Sequence, residues 1–279
     1  MLKLAVLGAQ TLLGRELVPA LEAAEASVLP LHTGPLTQVE EEGDLVVFAP
    51  EPALLEGLDL VILVDTPQNL ELLTAFPGRI LDLREDADPR VSGDPMPLAG
   101  EWPPTVLRFR GRPPLEQALA LVPSLVTGIG DLAGTHLRSV AALGEPGLHG
   151  LLKQTQAVLL GDEPEPGDLG YRAAFEVQPQ TPKGALVEVR VPVFHGDLLI
   201  LHLRAAEGGT LKLREAPAGI RWMDTPPSSR DVAVSAEALA HLALSNEGRT
   251  GVLILGFDLI LWGVLRPTLR LLGLGGRMG

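Results

Sequence analysis

The residues best suited to binding a phosphate lie in a turn near the start of the chain. Gly8, Thr11 and Gly14 follow the apolar run Leu2 to Leu7 and open a segment with helical leucine spacing. Backbone N–H groups at such a strand-to-helix turn can face a bound pyrophosphate. The middle position carries Thr11 rather than glycine, and its Cβ obstructs close approach of a phosphate. Two interpretations stay open: a turn in which Gly14 serves packing, or a dinucleotide site formed by Gly8, Gln10, Thr11, Leu12, Leu13 and Gly14.

The other side chains capable of chemistry give weaker signals. Arg108, Arg110 and Arg112 alternate on one face of an extended segment. They could clamp a phosphate or carboxylate, or form a solvated edge paired with acids. The six histidines show neither paired metal spacing nor a partner nucleophile, so we predict no metal site. The chain has no cysteine, which excludes disulfides, thiolate metal sites and a cysteine nucleophile.

Short apolar runs bounded by Gly, Pro or Asp predict the elements that hold the turn. Such runs are typical of strands buried on both faces of a parallel sheet, with helices as crossovers. The predicted helix covers Thr11 to Ala26, and the predicted strands cover Leu2 to Leu7, Ser27 to Leu31, Leu45 to Phe48, Leu58 to Val64 and Arg79 to Leu83. The first part of the chain is therefore predicted to be a Rossmann-like α/β domain.

The second half predicts a larger sheet with helices on it, an α+β domain. Ala87 to Pro104, rich in Asp, Pro and Gly, predicts a loop or domain junction. The predicted helices are Leu115 to Val122, stopped by Pro123, and Leu148 to Leu160, closed by Gly161. The predicted strands are Gly184 to Phe194, Asp197 to Ala205, Thr210 to Arg214 and Thr250 to Gly256. We predict a nucleotide-binding domain of residues 1–111 plus 257–279 and a dimerisation domain of residues 112–256.

Composition restricts the partners. The 279 residues carry 22 Lys and Arg against 35 Asp and Glu, a formal charge of −13, so nucleic acid is not expected to bind. The most apolar stretch, Gly251 to Leu265, is too short to span a membrane and carries Asp258, so it predicts a buried strand followed by a helix. No secretory signal is visible, and the expected location is the cytoplasm.

Several segments together resemble the aspartate-semialdehyde dehydrogenase family. Val6 to Leu17 is similar to the opening of that family, whose turn reads Gly-Ala-Thr-Gly-x-x-Gly, and Val189 to Gly196 is similar to its Arg-Val-Pro-Val-x-x-Gly-His strand. Ile80 to Leu83, the helix from Leu115 and the segment from Leu259 resemble further parts of the family in the same order. The resemblance implies a Rossmann-like domain followed by a dimerisation domain, NADP as cofactor and a role in amino-acid biosynthesis.

The departures from the family pattern concern its catalytic residues. The family's cysteine nucleophile corresponds to Pro113, and its acid/base histidine corresponds to Asp197. A carboxylate can replace a near-neutral imidazole only if burial raises its pKa. The family's substrate-orienting glutamine falls near Leu143, whereas the arginine that binds the substrate carboxylate is kept as Arg190. His195 shares strand parity with Asp197, and we interpret it as a sheet-surface residue.

These departures favour a catalytically divergent homologue, close to the Usg-type paralogues of the family. After the second strand, Thr33 is the nearest candidate cofactor ligand, and no Asp, Glu or Arg is present to read a ribose hydroxyl or 2′-phosphate. We therefore expect weak or lost NADP binding, a small anionic ligand at most, and a homodimer. The alternative is an NADP-dependent oxidoreductase that acts on a semialdehyde by a non-covalent route.

Overall fold

The computed structural model describes residues 1–34, 40–42, 45–84, 86–181 and 184–274. The chain forms two compact units. The first consists of Met1–Pro113 and Gly263–Gly279, and the second of Pro114–Trp262. The architecture is the α/β fold expected from the sequence, with a parallel sheet in the first unit and a larger mixed sheet in the second.

The first unit is built on a six-stranded, wholly parallel sheet. The strands of this unit are β1 (Lys3–Leu7), β2 (Ser27–Leu31), β3 (Glu40–Glu42), β4 (Leu45–Val47), β5 (Leu60–Leu63), β6 (Arg79–Asp82), β7 (Asp94–Pro95) and β8 (Arg108–Arg110). The sheet has the order β2-β1-β5-β6-β8-β7, and β3 pairs separately with β4. Helices α1 (Leu12–Ala23), α2 (Pro52–Leu55) and α3 (Glu71–Thr74) connect the strands.

The order of the strands reverses between β1 and β5, which is where ligands bind in sheets of this type. Both strands are almost wholly buried, and their apolar side chains form a core with Leu31, Leu73 and Ile80. Burial on both faces explains why these strands are uninterrupted apolar runs in the sequence. The turn between β1 and α1 therefore stands at the switch point of the sheet.

The second unit is built on a seven-stranded mixed sheet of order β11-β12-β10-β13-β17-β16-β15. Its elements are α4 (Pro114–Leu125), β9 (Val126–Thr127), β10 (Ile129–Arg138), α5 (Gly144–Leu160), β11 (Gln178–Pro179), β12 (Leu186–Arg190), β13 (Asp197–Ala205), β14 (Lys212–Leu213), β15 (Ile220–Trp222), α6 (Ser229–Ala233), β16 (Ala238–Ser245) and β17 (Thr250–Phe257). Short 3₁₀ turns cover Val140–Leu143, Gly167–Leu169 and Asn246–Gly248.

One face of this sheet forms the core of the second unit. Leu199, Leu201 and Leu203 point to the same side of β13 and pack with Ala118 and Val122 of α4. The intervening residues of β13 point to the other face, so the strand alternates as expected for a sheet with one covered side. A π-helical turn, Leu261–Leu265, then leads into α7 (Arg266–Leu271), which belongs to the first unit.

Some predicted boundaries are wrong. Helix α4 does not stop at Pro123 but continues to Leu125. A proline this close to the end of a helix removes only one backbone hydrogen bond, and the burial of Val122 and Leu125 in the core stabilises the last turn. Helix α1 ends at Ala23 rather than Ala26, and Glu25 then adopts a left-handed conformation with φ of 64°.

Candidate functional site

The turn at the switch point satisfies much of its own hydrogen bonding. Thr11 is the N-cap of α1: its Oγ1 accepts from Gly14 N at 3.2 Å and donates to Gly8 O at 2.8 Å. The N–H groups of Gly8 and Ala9 donate to Leu31 O at 2.9 and 3.0 Å. An N-cap side chain uses the donors that would otherwise bind an anion. The threonine is therefore a structural cap of α1.

Both glycines of the turn are explained by close packing. A Cβ on Gly14 would lie 2.4 Å from Gly8 O and 2.6 Å from Ala9 Cα. Gly8 has φ of +99°, and a Cβ there would lie 2.8 Å from the Cβ of Asp65. Asp65 is the second residue after the end of β5. The packing role predicted for Gly14 fits this geometry. Asp65 also brings a carboxylate beside the turn, a feature that the local sequence pattern does not predict.

Two of the predicted cofactor residues meet at the end of β2. Gln10 Nε2 donates to Thr33 Oγ1 at 2.9 Å, which links the turn after β1 to the turn after β2. The next residue, Gly34, donates its N–H to His32 Nδ1 at 3.1 Å. Leu12 and Leu13 form the first residues of α1 and are partly buried. The predicted set is thus one contiguous cluster at the carboxyl ends of β1 and β2.

A buried ion pair lies at the carboxyl end of β6. Arg84 Nε and Nη2 donate to Asp82 Oδ1 and Oδ2 at 2.8 and 2.6 Å, and Ser92 Oγ donates to Asp82 Oδ2 at 2.5 Å. The hydrogen bonds that Arg84 donates to Asp82 raise the pKa of Arg84 above its ordinary value, against the effect of burial. Asp82 is fully buried, so this pair is part of the packed interior. Its sequence signal is an acid and an arginine two positions apart at the end of an apolar strand.

In the second unit, Asp197 is fully buried, and each of its two carboxylate oxygens has a polar partner. Its Oδ2 lies 2.8 Å from His136 Nε2, and its Oδ1 accepts from Ser139 N at 3.0 Å and Ser139 Oγ at 2.6 Å. His136 and Ser139 are each 2% exposed. The carboxylate stands between the imidazole and the hydroxyl, so this is not the serine–histidine–aspartate order that activates a nucleophile.

The strand register explains how these three groups meet. His136 lies on β10 beside Leu199 of β13, so its side chain faces the same side of the sheet as Asp197. Its ring stacks on Phe257 at a centroid distance of 6.0 Å, and its Nδ1 lies 4.0 Å from Glu188 Oε2. Nothing local in the sequence pairs His136 with Asp197, so no role could be predicted for this histidine. The network ties β10 to the start of β13.

Arg190 is held by an aromatic ring. Its guanidinium carbon lies 5.1 Å from the centroid of Tyr171, a cation–π contact. The neighbouring strand carries Arg138 at the same register, and Arg138 Nη1 donates to Glu188 Oε1 at 3.3 Å. Arg190 is half-buried, so the guanidinium proposed for substrate binding keeps some exposure to solvent. Its role in binding stays a prediction.

Two of the three alternating arginines donate hydrogen bonds within the first unit. Arg108 Nη1 donates to Val91 O at 3.3 Å, and Arg112 Nε donates to Met96 O at 2.6 Å. Arg110 between them is exposed. Two of the three thus donate to backbone carbonyls of the segment before β8.

The remaining predicted positions show no assembled chemistry. Pro113 is exposed and immediately precedes α4, and Leu143 is exposed at the end of a 3₁₀ turn. His195 lies outside the strands, with Nδ1 3.9 Å from Asp258 Oδ2. Within the described ranges no group of three or more His, Cys, Asp or Glu residues could hold a metal ion. In the same ranges we find no helix with the length and apolar character required to cross a bilayer.

Comparison with solved structures defines the fold. An aspartate-semialdehyde dehydrogenase II from Vibrio cholerae, solved with ASA, matches 100% of this chain and 99% of its own, with a TM-score of 0.75 and 16% identity. A probable aspartate-semialdehyde dehydrogenase from Pseudomonas aeruginosa matches 99% and 97%, with a TM-score of 0.72 and 19% identity. The enzyme from Francisella tularensis matches 98% and 99%, with a TM-score of 0.69 and 12% identity. The fold is that of the aspartate-semialdehyde dehydrogenases.

The likeness covers 97% or more of this chain and of each of these three solved chains, so it includes both units. No protein-family model and no curated protein sequence matches the chain. The prediction of the fold class is confirmed, and at these identities the likeness concerns the fold alone.

Proposed function

We propose that this chain is a non-catalytic homologue of the aspartate-semialdehyde dehydrogenases, a divergent paralogue of the Usg type. The observation that carries the proposal is the environment of Asp197, which stands at the family's acid/base position. Its two oxygens accept hydrogen bonds from Ser139 and face His136, and the side chain is fully buried. A proton-transferring group must reach the reacting atoms, and the carboxylate of Asp197 is instead held by His136 and Ser139.

The family's nucleophile position supports the same proposal. Pro113 has no side-chain nucleophile, and the chain contains no cysteine that could supply one. The thiohemiacetal route of the family therefore has no attacking group. A non-covalent oxidoreductase, the alternative considered from the sequence, would need a base other than Asp197.

The cofactor turn supports weak or lost NADP binding. Thr11 uses its hydroxyl to cap α1, and Asp65 stands beside Gly8 at the switch point. A carboxylate at this point repels a pyrophosphate, and the cap removes a donor that would bind it. A small anion fits the remaining N–H groups of the turn better than a dinucleotide does. This proposal concerns the turn and does not depend on the absence of catalysis.

A homodimer through the second sheet is the assembly we propose. Ile200 of β13 and Ile254 of β17 are paired in register and are only partly buried, and Leu198 shares their face. An apolar sheet face of this kind is favourable to cover with a second copy. A location in the cytoplasm stays a prediction from the sequence.

Restoring the two family residues tests the proposed loss of function. We expect no phosphate-dependent NADPH formation from aspartate semialdehyde with Pro113→Cys, because Asp197 remains buried and engaged. Asp197→His alone should also be inactive, since it supplies no nucleophile. The double variant, Pro113→Cys with Asp197→His, is compared with both single variants as matched controls. Turnover by Pro113→Cys comparable to that of the double variant would show that Asp197 already works as the acid/base group.

A further inference from the structure

The side chain of Arg270, on helix α7 of the first unit, carries an unmatched pair of donors. Its Nε and Nη2 atoms are buried, and neither has a hydrogen-bond partner among the residues that the structure describes. These two N–H groups form the edge of a guanidinium that binds both oxygens of a carboxylate or phosphate at once. Buried donors without partners are uncommon in native proteins and call for an explanation such as a bound ion.

In Arg84 of the same unit, the corresponding two donors have hydrogen-bond partners. Its Nε and Nη2 bind the two oxygens of Asp82 at 2.8 and 2.6 Å, and this raises its pKa. For Arg270, burial lowers the pKa and no acidic side chain opposes that effect within the described ranges. The two arginines thus both bury Nε and Nη2, but only Arg84 has a carboxylate, that of Asp82, against these atoms within the described ranges.

We propose that Arg270 anchors a small oxyanion, through a phosphate or carboxylate group held on its Nε and Nη2 edge. The site is separate in sequence from the turn at Gly8 and from Arg190. It does not rest on the proposed loss of catalysis, because it requires neither a nucleophile nor an acid/base group.

The test follows the Nε–H signal of Arg270 by nuclear magnetic resonance in the full chain, assigned by its loss in Arg270→Gln. Inorganic phosphate and malonate are added separately at constant ionic strength, and thermal unfolding is measured in parallel. We expect a saturable shift of this signal and a rise in Tm with at least one of the two anions, since a ligand that binds the folded state stabilises it. A response to phosphate alone identifies a phosphate ligand, and a response to malonate alone identifies a carboxylate.

The variants separate this site from any other anion site. We expect the apparent affinity to fall about tenfold or more in Arg270→Gln, and to fall in Arg270→Lys as well, because lysine keeps the charge and loses the two-pronged edge. Arg90→Gln, which removes an arginine paired with Asp88 in an exposed position, is the control and should respond as the wild type does. If Arg270→Gln does not fold, the wild-type signal and Arg270→Lys decide the question. No shift of the Arg270 signal with either anion, or equal affinity in Arg270→Lys and the wild type, overturns the proposal.

Discussion

Asp197→Ala should weaken the second unit strongly without changing any catalytic rate. The substitution leaves His136 Nε2, Ser139 N and Ser139 Oγ facing a buried space with no acceptor. An unsatisfied buried donor costs about 1–3 kcal/mol, so the three donors that lose their acceptor set the scale of the loss. Because these effects overlap in one network, we expect a total loss of about 3–5 kcal/mol in the free energy of unfolding.

Urea unfolding followed by tryptophan fluorescence measures this loss. Trp102 lies in the first unit and Trp222 and Trp262 in the second, so a Trp102→Phe background reports the second unit alone. With an m value of about 3 kcal/mol/M, the midpoint should fall by about 1–1.7 M. Ser139→Ala keeps the backbone hydrogen bond to Asp197 and should cost only about 1 kcal/mol.

The control is Asp131→Ala, which removes an exposed carboxylate from β10 and should change the free energy of unfolding by less than about 0.5 kcal/mol. If Asp197→Ala unfolds at the same urea concentration as Asp131→Ala, the network contributes no stability and the structural interpretation of Asp197 is wrong.

Three further predictions concern the cofactor turn, the assembly and an exposed ion pair. Thr11→Gly should bind NADP more tightly than the wild type in calorimetric titration; micromolar binding by both proteins would show that the threonine is no obstacle. Light scattering at micromolar concentration should give the mass of a homodimer, and a monomer would remove the proposed interface. The hydrogen bonds from Arg90 lower the pKa of Asp88 to about 2 from an ordinary 3.8, so the stabilisation by this pair should be present above pH 4 and disappear as the pH falls through about 2. Proton titration by nuclear magnetic resonance should show the Asp88 pKa rising towards 3.8 in Arg90→Gln.

The elements that follow from local sequence patterns were predictable. The bounds of β2 and β13 agree with the predicted runs Ser27 to Leu31 and Asp197 to Ala205, because both are apolar segments bounded by turn residues. Gly161 closes α5 in the left-handed conformation, as expected for a glycine after a helix. These features depend on residues that are close together in the chain.

Contacts across strands could not be predicted in the same way. His136 and Asp197 belong to β10 and β13, and only the register between the two strands brings their side chains to one face. The cation–π contact of Arg190 with Tyr171 likewise joins separate segments. A continued helix beyond Pro123 depends on the burial of Leu125 in a core built from distant strands. These contacts depend on how distant strands pair, and local sequence patterns do not specify that pairing.

The most direct test of the proposed loss of catalysis is an assay of the purified wild-type chain with aspartate semialdehyde, NADP and phosphate, in which the absorbance of NADPH is followed. We expect no NADPH formation above that of a reaction without protein, because Pro113 offers no nucleophile and Asp197 is bound to His136 and Ser139. NADPH formation that requires both the semialdehyde and phosphate, and that disappears in Asp197→Asn, would contradict this expectation.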